Sequence, residues 1–331
     1  MNSKTKIDIF RQLIFHRISP LIGGRVALFG LPCHGNIGDT YIATGELSFL
    51  KQVGAKIIYK KMLIDSTPLP NLPSDCTILL QGGGDFGDVW RGIQECRLKV
   101  LDKYKDHKIV IFPQSVFYNE TSLVRKDSAL LAKCTNLTIC ARDNYSFEFL
   151  KNNFKNEILL VPDMAFFIPV CSLKKHCVRS ADQALYLKRI DKEQNMAEQC
   201  ELLVESNIPL IISDWPTVKN DLWCLRLNLY MVGFTDALLL RKMFMMASLM
   251  RKLTVWQMIH VAYPIVSKQG VAFLSSFKTL YLTRLHSAIL SLLIGKEFVL
   301  LDNSYHKNQN FYETWLKDCD LAEFREGNKK A

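Results

Sequence analysis

Polar residues recur directly after short apolar runs in the first half of the chain, and their types suit the binding or activation of a ligand. The set consists of amides, carboxylates and one guanidinium: Asn36, Asp39, Asp85, Asp88, Gln114 and Arg142. A carboxylate among them could accept the proton of an attacking hydroxyl, and Asp39 is the predicted base. The alternative for Asp39 is a cap on the helix predicted from Thr40, because aspartate commonly bonds the first N–H groups of a helix.

Two arginines and a histidine hold the corresponding places in the second half. Arg189, Arg284 and His286 each follow an apolar run, and Asp302 with Asn303 follows the last such run. The planar guanidinium donates two parallel hydrogen bonds, which suits phosphate and carboxylate groups. Histidine titrates near neutral pH and can act as a general acid. The second half therefore carries a candidate anion site with a candidate proton donor.

The elements that must position these residues are parallel strands. The apolar runs are short, are bounded by Gly, Pro and Asn, and alternate with helical patterns, which predicts parallel sheets flanked by helices. In open α/β sheets the ligand crevice lies beyond the carboxyl ends of the strands. The predicted fold class is therefore α/β, with two Rossmann-like parallel-sheet domains that face a cleft in a GT-B-like arrangement.

The length of 331 residues suits two domains of ordinary size. Residues 1–169 are predicted to form the first domain and residues 183–331 the second, with a C-terminal helix that could pack back on the first. Residues 170–182 are polar and lack clear periodicity, which predicts an interdomain linker. The run Gly82–Gly84 lacks the spacing of a dinucleotide or P-loop motif. It is expected to let the backbone pass close to a ligand or to the facing domain.

Composition narrows the classes of partner. The formal charge of +10 favours an anionic partner, which could be nucleic acid, a membrane surface or a phosphorylated substrate. No RNP, zinc-finger or helix-turn-helix signature is present, so nucleic acid is not a predicted partner. The ten cysteines include no CxxC pair, and the cluster Cys171, His176 and Cys177 lacks a second half at zinc-finger spacing. No metal is therefore predicted.

The chain has no uninterrupted apolar run of the roughly 20 residues that cross a bilayer. Leu285–Leu301 is predicted to be a helix followed by a buried strand. With no signal peptide in view, a cytoplasmic location is expected. The segment Leu225–Ile265 is rich in Leu, Met and aromatics and should be mostly helix. It is either adaptable core or a basic amphipathic surface that contacts the inner membrane face peripherally.

Nine segments, taken together and in this order, resemble the polysaccharide pyruvyl transferase family. Each is weak alone, but their number and order from about residue 26 to residue 315 make the match specific. The segments are His34–Asp39, Gln81–Asp88, Phe112–Ser115, Ala141–Asp143, Pro162–Ala165, Arg189–Glu193, Ser213–Pro216, Thr283–His286 and Leu301–Tyr305.

The resemblance implies an enzyme that moves the carboxyvinyl unit of phosphoenolpyruvate, a co-substrate, onto sugar hydroxyls, usually as a cyclic pyruvate ketal and without a cofactor. It implies that Arg284 and Arg189 bind this donor. His286 is the predicted general acid. Ser287 stands where the family often has glycine and is expected beside the donor. His306 likewise replaces a frequent glycine.

The acceptor implied is a sugar of a cell-surface polysaccharide or of its lipid-linked repeat unit. The residues expected to face it or the cleft are Asn36, Asp85, Asp88, Gln114, Arg142, Asp302 and Asn303. Two alternatives stay open from the sequence. One is a GT-B glycosyltransferase that uses a nucleotide sugar, and the other is an inactive scaffold of a capsule-assembly complex.

Overall fold

The computed structural model describes residues 1–191, 193, 204, 206–218 and 222–325. A seven-stranded parallel sheet occupies the first half, in the order β2-β1-β3-β5-β6-β7 with β4 paired to β5. Its elements are α1 (Ser3–Ile18), β1 (Arg25–Leu31), α2 (Ile37–Gln52), β2 (Lys56–Met62), β3 (Cys76–Leu80), β4 (Gly83–Gly87), α3 (Arg91–Lys103), β5 (Ile109–Phe117), α4 (Thr121–Leu131), β6 (Leu137–Ala141), α5 (Asn144–Asn153) and β7 (Glu157–Leu160).

A five-stranded parallel sheet occupies the second half, in the order β12-β11-β10-β8-β9. Its elements are α6 (Val170–Lys174), β8 (Ala181–Leu187), β9 (Leu210–Ser213), α7 (Trp223–Leu240), α8 (Phe244–Gln257), α9 (Tyr263–Ser275), β10 (Phe277–Leu282), α10 (Leu285–Ile294), β11 (Phe298–Leu301), α11 (Lys307–Phe311) and β12 (Ala322–Arg325). The α/β class with two parallel sheets is thus confirmed, and Leu285–Leu301 is a helix followed by a strand.

The central strands are buried on both faces, which explains why they are continuous apolar runs rather than alternating ones. All residues of β3 and β6 are buried, and so is β5 up to Val116. Since a buried strand cannot expose a polar side chain to solvent, exposed polar side chains begin where the chain leaves the sheet.

The two halves meet through α2, which packs on α9 and α10. The phenol of Tyr41 donates a hydrogen bond to the carbonyl of Ser267 at 2.9 Å, and that of Tyr263 donates to the carbonyl of Pro32 at 2.9 Å. One apolar core runs through both halves and includes Ile37 and Val271. The sheets are therefore held against each other by buried contacts, which fixes the positions of their facing strand ends.

The C-terminal part of the chain returns to the first sheet. Trp315 donates a hydrogen bond from its indole nitrogen to the carbonyl of Arg142 at 2.6 Å, and Phe311 stacks near Phe166. Lys6 of α1 forms an ion pair with Asp318. Since α1 buries Phe10 and Ile14 in the core that both halves share, it packs against the rest of the chain. The domain boundaries at 169 and 183 stay a prediction.

The range 170–182, predicted to be the interdomain linker, contains α6 and the first two residues of β8, and its role as a linker stays a prediction. One local expectation was wrong. The segment from Pro113 to Ser115, expected to follow a strand, lies inside β5, because β4 extends the pairing of that strand from Gln114 to Phe117. Gly83 and Gly84 therefore belong to a strand, although their lack of side chains hides any strand pattern.

The segment Leu225–Ile265 is helical, as predicted. We call residues 223–257, which are α7, the turn after it and α8, the helical hairpin. It buries Cys224, Leu238 and Val255 but exposes most of its larger apolar side chains. The prediction that this segment is adaptable core therefore holds for one side of each helix only.

Candidate functional site

A cavity of about 310 Å3 lies where the carboxyl ends of the two sheets face each other. We call it the interface cavity. Its charged and imidazole side chains come from both halves of the chain: His34, Asp39, Asp85, Arg142, Arg189, Asp191, Glu193, Arg284, His286 and Lys307. Many of the polar residues that were predicted to follow strands therefore line one cavity between the two sheets.

Arg284 enters the interface cavity from the loop after β10 and is oriented by two carboxylates. Its Nη2 donates to Asp214 Oδ2 at 2.6 Å and to Asp191 Oδ2 at 3.2 Å. Only 5% of Arg284 is exposed. Because carboxylates hold the guanidinium of Arg284 on one side, the group keeps a fixed direction. Bidentate recognition of an anion requires such a fixed direction.

Arg189 follows β8 and pairs with Glu193 and Asp191. Its Nη1 donates to Glu193 Oε2 at 2.6 Å, and its Nη2 donates to Asp191 Oδ2 at 2.9 Å. Burial alone would raise the pKa of Glu193, but the charges of Lys307 and Arg189 outweigh it and hold that pKa well below its usual range. Glu193 is therefore an anion at neutral pH that gathers two cations.

His286 lies in the first turn of α10, next to a buried ion pair of the first half. Its Nε2 is 3.4 Å from Asp163 Oδ2 and 3.4 Å from Arg142 Nη1, and these two groups bond each other at 2.7 Å. Burial opposes ionisation of Asp163, but the charges of His286 and Arg142 and the bond to His286 hold its pKa below the usual value. Asp163 thus remains an anion beside the imidazole of His286.

Lys307, at the start of α11, is the functional candidate that the sequence reasoning missed. Its Nζ donates to Glu193 Oε2 and, at 3.2 Å, to the phenol of Tyr305. Burial lowers the pKa of Lys307 to about 8; Glu193 opposes that shift, while Arg189 and Arg142 add to it. The available signal was its place two residues after the motif that ends at Tyr305.

The guanidinium of Arg142 has a nitrogen at this site that makes no hydrogen bond to the described residues. Arg142 is fully buried, and its Nη2 has no hydrogen-bond partner among the described residues. This nitrogen lies 2.8 Å, and Lys307 Nζ 3.0 Å, from where a Cβ on Gly84 would stand. Two cations from opposite halves therefore converge at Gly84, so the glycine lets the backbone approach the facing half, as expected of the Gly82–Gly84 run.

The N-terminus of α10 also reaches the interface cavity. The helix starts at Leu285, and the side chain of Arg284, its N-cap residue, makes no capping bond. Leu285 and His286 both line the cavity. Free N–H groups at a helix start favour an anion, so this terminus adds to the positive side chains around it.

A second cavity, of about 1040 Å3, lies wholly against the first sheet, and we call it the first-sheet cavity. It shares His34, Asp39, Leu63, Asp85, Trp90 and Ile93 with the interface cavity. Its lining mixes carboxylates, cations and an indole: Asp39, Asp65, Asp85, Asp88, Lys61, Arg91, Arg97, Lys99 and Trp90. Two adjoining spaces with shared walls can hold two different reactants.

A family model describing the polysaccharide pyruvyl transferases matches residues 36–305, which is most of the chain and contains both groups of strand ends. The chain belongs to this family. EpsO of Bacillus subtilis, assigned as a pyruvyl transferase, is 31% identical over 86% of this chain and 84% of its own length. Pyruvyl transferase 1 of Schizosaccharomyces pombe is 29% identical over 96% of this chain and 77% of its own length. Membership supports transferase activity and a place in exopolysaccharide biosynthesis.

A solved structure of an uncharacterised protein from Klebsiella pneumoniae has the same fold. The two chains superpose with a TM-score of 0.60, at 17% identity, over 96% of this chain and 98% of the other. At that identity the likeness concerns the fold alone. It agrees with the two facing parallel sheets described above.

The predicted site residues of this pyruvyl transferase family member divide by location. Arg284, Arg189, His286 and Arg142 line the interface cavity, as does Asn36, whose side chain caps α2 by accepting the N–H of Gly38 at 3.2 Å. The alternative that Asp39 is this cap was therefore wrong. Asp39 instead accepts a bond from Asn36 Nδ2 at 2.8 Å and lies on both cavities.

Asp85 and Asp88 lie near the same space but already have partners. Asp85 lines both cavities and forms an ion pair with Arg97. Asp88 lines the first-sheet cavity and accepts the N–H groups of Asn119 and Glu120 at 2.7 and 2.8 Å. Asp85 is thus the better placed of the two to meet a ligand at the shared wall.

The structure places four predicted site residues behind the cavity lining, where they hold lining residues. The carbonyl of Gln114 accepts the N–H of Arg142 at 2.9 Å. The hydroxyl of Ser287 donates to the carbonyl of Arg284. Asn303 Oδ1 accepts the N–H of Lys307 at 2.8 Å. Asp302 accepts the N–H of Gln309 at 3.1 Å and so fixes the start of α11.

Over the described residues, no cluster of three or more His, Cys, Asp and Glu side chains has the arrangement of a metal site. In the same part of the chain, no helix combines the length and apolarity needed to cross a bilayer. The absence of a cofactor and the location of the protein stay predictions.

Proposed function

We propose that the chain transfers the pyruvyl unit of phosphoenolpyruvate onto sugar hydroxyls of a cell-surface polysaccharide, or of its lipid-linked repeat unit, as a pyruvate ketal. The observation that carries the proposal is the interface cavity. Arg142, Arg189, Arg284, Lys307 and His286 converge there from both halves of the chain. Phosphoenolpyruvate carries a phosphate and a carboxylate, and a pocket for it needs fixed cations.

The donor would use groups that the internal ion pairs leave available. Arg142 Nη2 is buried without a partner among the described residues, and the N-terminus of α10 lies on the cavity. Both suit a phosphate. The carboxylates of Asp191 and Asp214 hold Arg284 from one side, so the anion meets an oriented guanidinium rather than a mobile one. This arrangement lowers the ordering cost of binding.

Transfer begins with protonation of the donor's terminal CH2 carbon. His286 is the proposed acid, because its imidazole lies on the interface cavity and its Nε2 is 3.4 Å from the carboxylate of Asp163. Lys307 is a second candidate acid, since its pKa of about 8 allows proton exchange near neutral pH. Either group gives its proton to carbon while the donor's C2 becomes electron-poor.

The acceptor would occupy the first-sheet cavity, which shares Asp39 and Asp85 with the interface cavity. One sugar hydroxyl adds to C2 and gives its proton to Asp39, the proposed base. A second hydroxyl of the same sugar then replaces the phosphate at C2, and its proton leaves with the phosphate. One donor and one diol thus yield one ketal and one inorganic phosphate, with no cofactor consumed.

A phosphate-release assay with phosphoenolpyruvate and a panel of sugars that carry neighbouring hydroxyl pairs tests the proposal. We expect phosphate release that depends on both reactants, together with a product of higher mass on the sugar that is stable to base and is cleaved by mild acid. Arg284→Ala should abolish it. Arg25→Ala, which removes an exposed ion pair with Asp75 outside both cavities, is the matched control and should still release phosphate. Turnover with UDP- or GDP-sugars instead of phosphoenolpyruvate would establish the glycosyltransferase alternative and refute the proposal.

A further inference from the structure

The helical hairpin presents an apolar surface that the rest of the described chain leaves uncovered. Leu240, Phe244 and Met245, around the turn between α7 and α8, are 86%, 63% and 88% exposed. Along α7 the exposed residues Trp223, Leu227, Tyr230 and Phe234 recur at spacings of four, three and four residues, which places them on one face. Contiguous apolar surface of this kind marks a contact with a partner or a membrane.

The charges of the helical hairpin select the kind of contact. Arg226, Arg241, Lys242 and Lys252 are exposed. Asp236 is the single acidic residue between positions 223 and 257, and it accepts a hydrogen bond from Ser66. Cations next to exposed Trp, Phe and Leu are typical of helices that lie in the headgroup region of an anionic bilayer.

The helical hairpin is fastened to one rim of the first-sheet cavity. Arg251 of α8 stacks on the Tyr59 ring at 4.4 Å and donates to the carbonyl of Lys60, and both of these residues belong to β2. Asp236 of α7 bonds Ser66, and Asp65 and Ser66 both line the first-sheet cavity. A partner or membrane bound to the helical hairpin would therefore lie close to the first-sheet cavity.

We propose that the helical hairpin docks on an anionic lipid surface and holds the first-sheet cavity beside it, so that a lipid-linked sugar acceptor enters from the membrane. The statement about the acceptor rests on the proposed function. The docking itself does not, because it follows from the exposed apolar side chains and cations alone. An acceptor whose lipid remains in the bilayer needs its sugar to reach the enzyme at the headgroup level.

Vesicle flotation of the full chain tests the docking. We expect binding to vesicles of mixed phosphatidylglycerol and phosphatidylcholine, weaker binding to pure phosphatidylcholine, and a decrease with added salt. Phe244→Ser with Met245→Ser should remove the binding. Arg241→Gln with Lys242→Gln should lower the partition coefficient about thirtyfold. Tyr145→Ser, an exposed aromatic of α5, is the matched control and should bind as the wild type does.

Three outcomes would overturn the docking proposal. They are no binding of the wild type to the anionic vesicles, equal binding by the Phe244→Ser and Met245→Ser variant, and a dimer in light scattering that this variant abolishes while vesicle binding is absent. Stabilisation of each variant by phosphoenolpyruvate, measured without vesicles, shows whether the interface cavity is intact. Absence of donor binding in the wild type would refute the proposed function and leave the docking result standing, and absence of vesicle binding by a wild type that binds the donor would refute the docking alone.

Discussion

At the scale of residues, the interface cavity is a set of cations that buried carboxylates hold in place. Arg284 and Arg189 were expected here from their positions after strands, but Glu193 and Lys307 complete the set. Removing one partner of a buried ion pair leaves the other uncompensated, which costs about 3 kcal/mol. The carboxylates and the cations are thus both expected to matter for stability, and the cations for the ligand as well.

Lys307 predicts a particular dependence of stability on pH. Its pKa is about 8 in the folded chain, against an ordinary lysine value of 10.5. Between these values the unfolded chain holds the proton that the folded chain has lost, so stability rises with pH, by at most about 1.4 kcal/mol per unit. Below pH 8 this gain is absent. Urea unfolding of the wild type and of Lys307→Met should therefore show a difference that grows in favour of the wild type from pH 8 upward. A constant difference would contradict the buried position.

His306 predicts an unusual order of two substitutions. Its φ is 60°, in the left-handed region that favours glycine, and its ring bonds Asp302 Oδ2 at 2.6 Å. His306→Gly loses this bond but relieves the backbone, whereas His306→Ala loses the bond and keeps the strain. We expect the Gly variant to be the more stable in urea unfolding, by about 1 kcal/mol.

The control for His306 is an ordinary helical position. At Lys151, which is exposed in α5, the Ala variant should be the more stable instead, because glycine weakens a helix interior. If the Ala variant were the more stable at both positions, the backbone at His306 would not be strained.

At the scale of elements, the close approach of α2 to α10 fixes His286. A Cβ on Gly38, in the first turn of α2, would stand 2.4 Å from His286 Nδ1. The contact joins a motif of the first half to one of the second. It explains in physical terms why a residue without a side chain stands between Asn36 and Asp39, both of which line the interface cavity.

Gly38→Ala tests this contact. Alanine ordinarily stabilises a helix relative to glycine by about 1 kcal/mol. Here the added methyl must displace His286, so we expect lower stability and a fall in phosphate release of about a hundredfold, since a small misplacement of a reacting group is costly. Gly24→Ala is the matched control, because a Cβ there meets nothing within 4 Å. Unchanged release in Gly38→Ala, measured beside this control, would show that the position of His286 is not critical.

The strands could be predicted where burial on both faces produces an apolar run, as in β3 and β6. β4 could not, because Gly83–Gly87 has too few side chains to show a period. Gln114 was misplaced for a related reason, since a polar residue inside a central strand looks like the residue that follows it. Its amide nitrogen donates to the carbonyl of Gln81 at 2.7 Å, a contact between β5 and the segment after β3 that sequence order does not reveal.

The candidate site was predictable only one half at a time. Arg142, Arg189 and Arg284 stand after their strands as expected, and each strand end is a local feature of the sequence. That Lys307 meets Arg142 at Gly84 depends on how the two sheets face each other. Packing of α2 on α9 and α10 decides this, and no local pattern encodes the distance.

At the scale of the whole molecule, function is divided between the two halves. The first half supplies Arg142, Asp163 and most of the first-sheet cavity, and the second supplies Arg189, Arg284, His286 and Lys307. Neither half contains the complete interface cavity. Because one apolar core joins them, the cavity is expected to be formed before a ligand binds rather than assembled by it.

The measurement that tests the central claim most directly is thermal unfolding with and without phosphoenolpyruvate. At about 100 times its dissociation constant, the ligand should add roughly 2.7 kcal/mol of stability to the wild type and to Arg25→Ala. It should add none to Arg284→Ala. A shift that persists in Arg284→Ala, or no shift in the wild type, would contradict the assignment of the interface cavity to this donor.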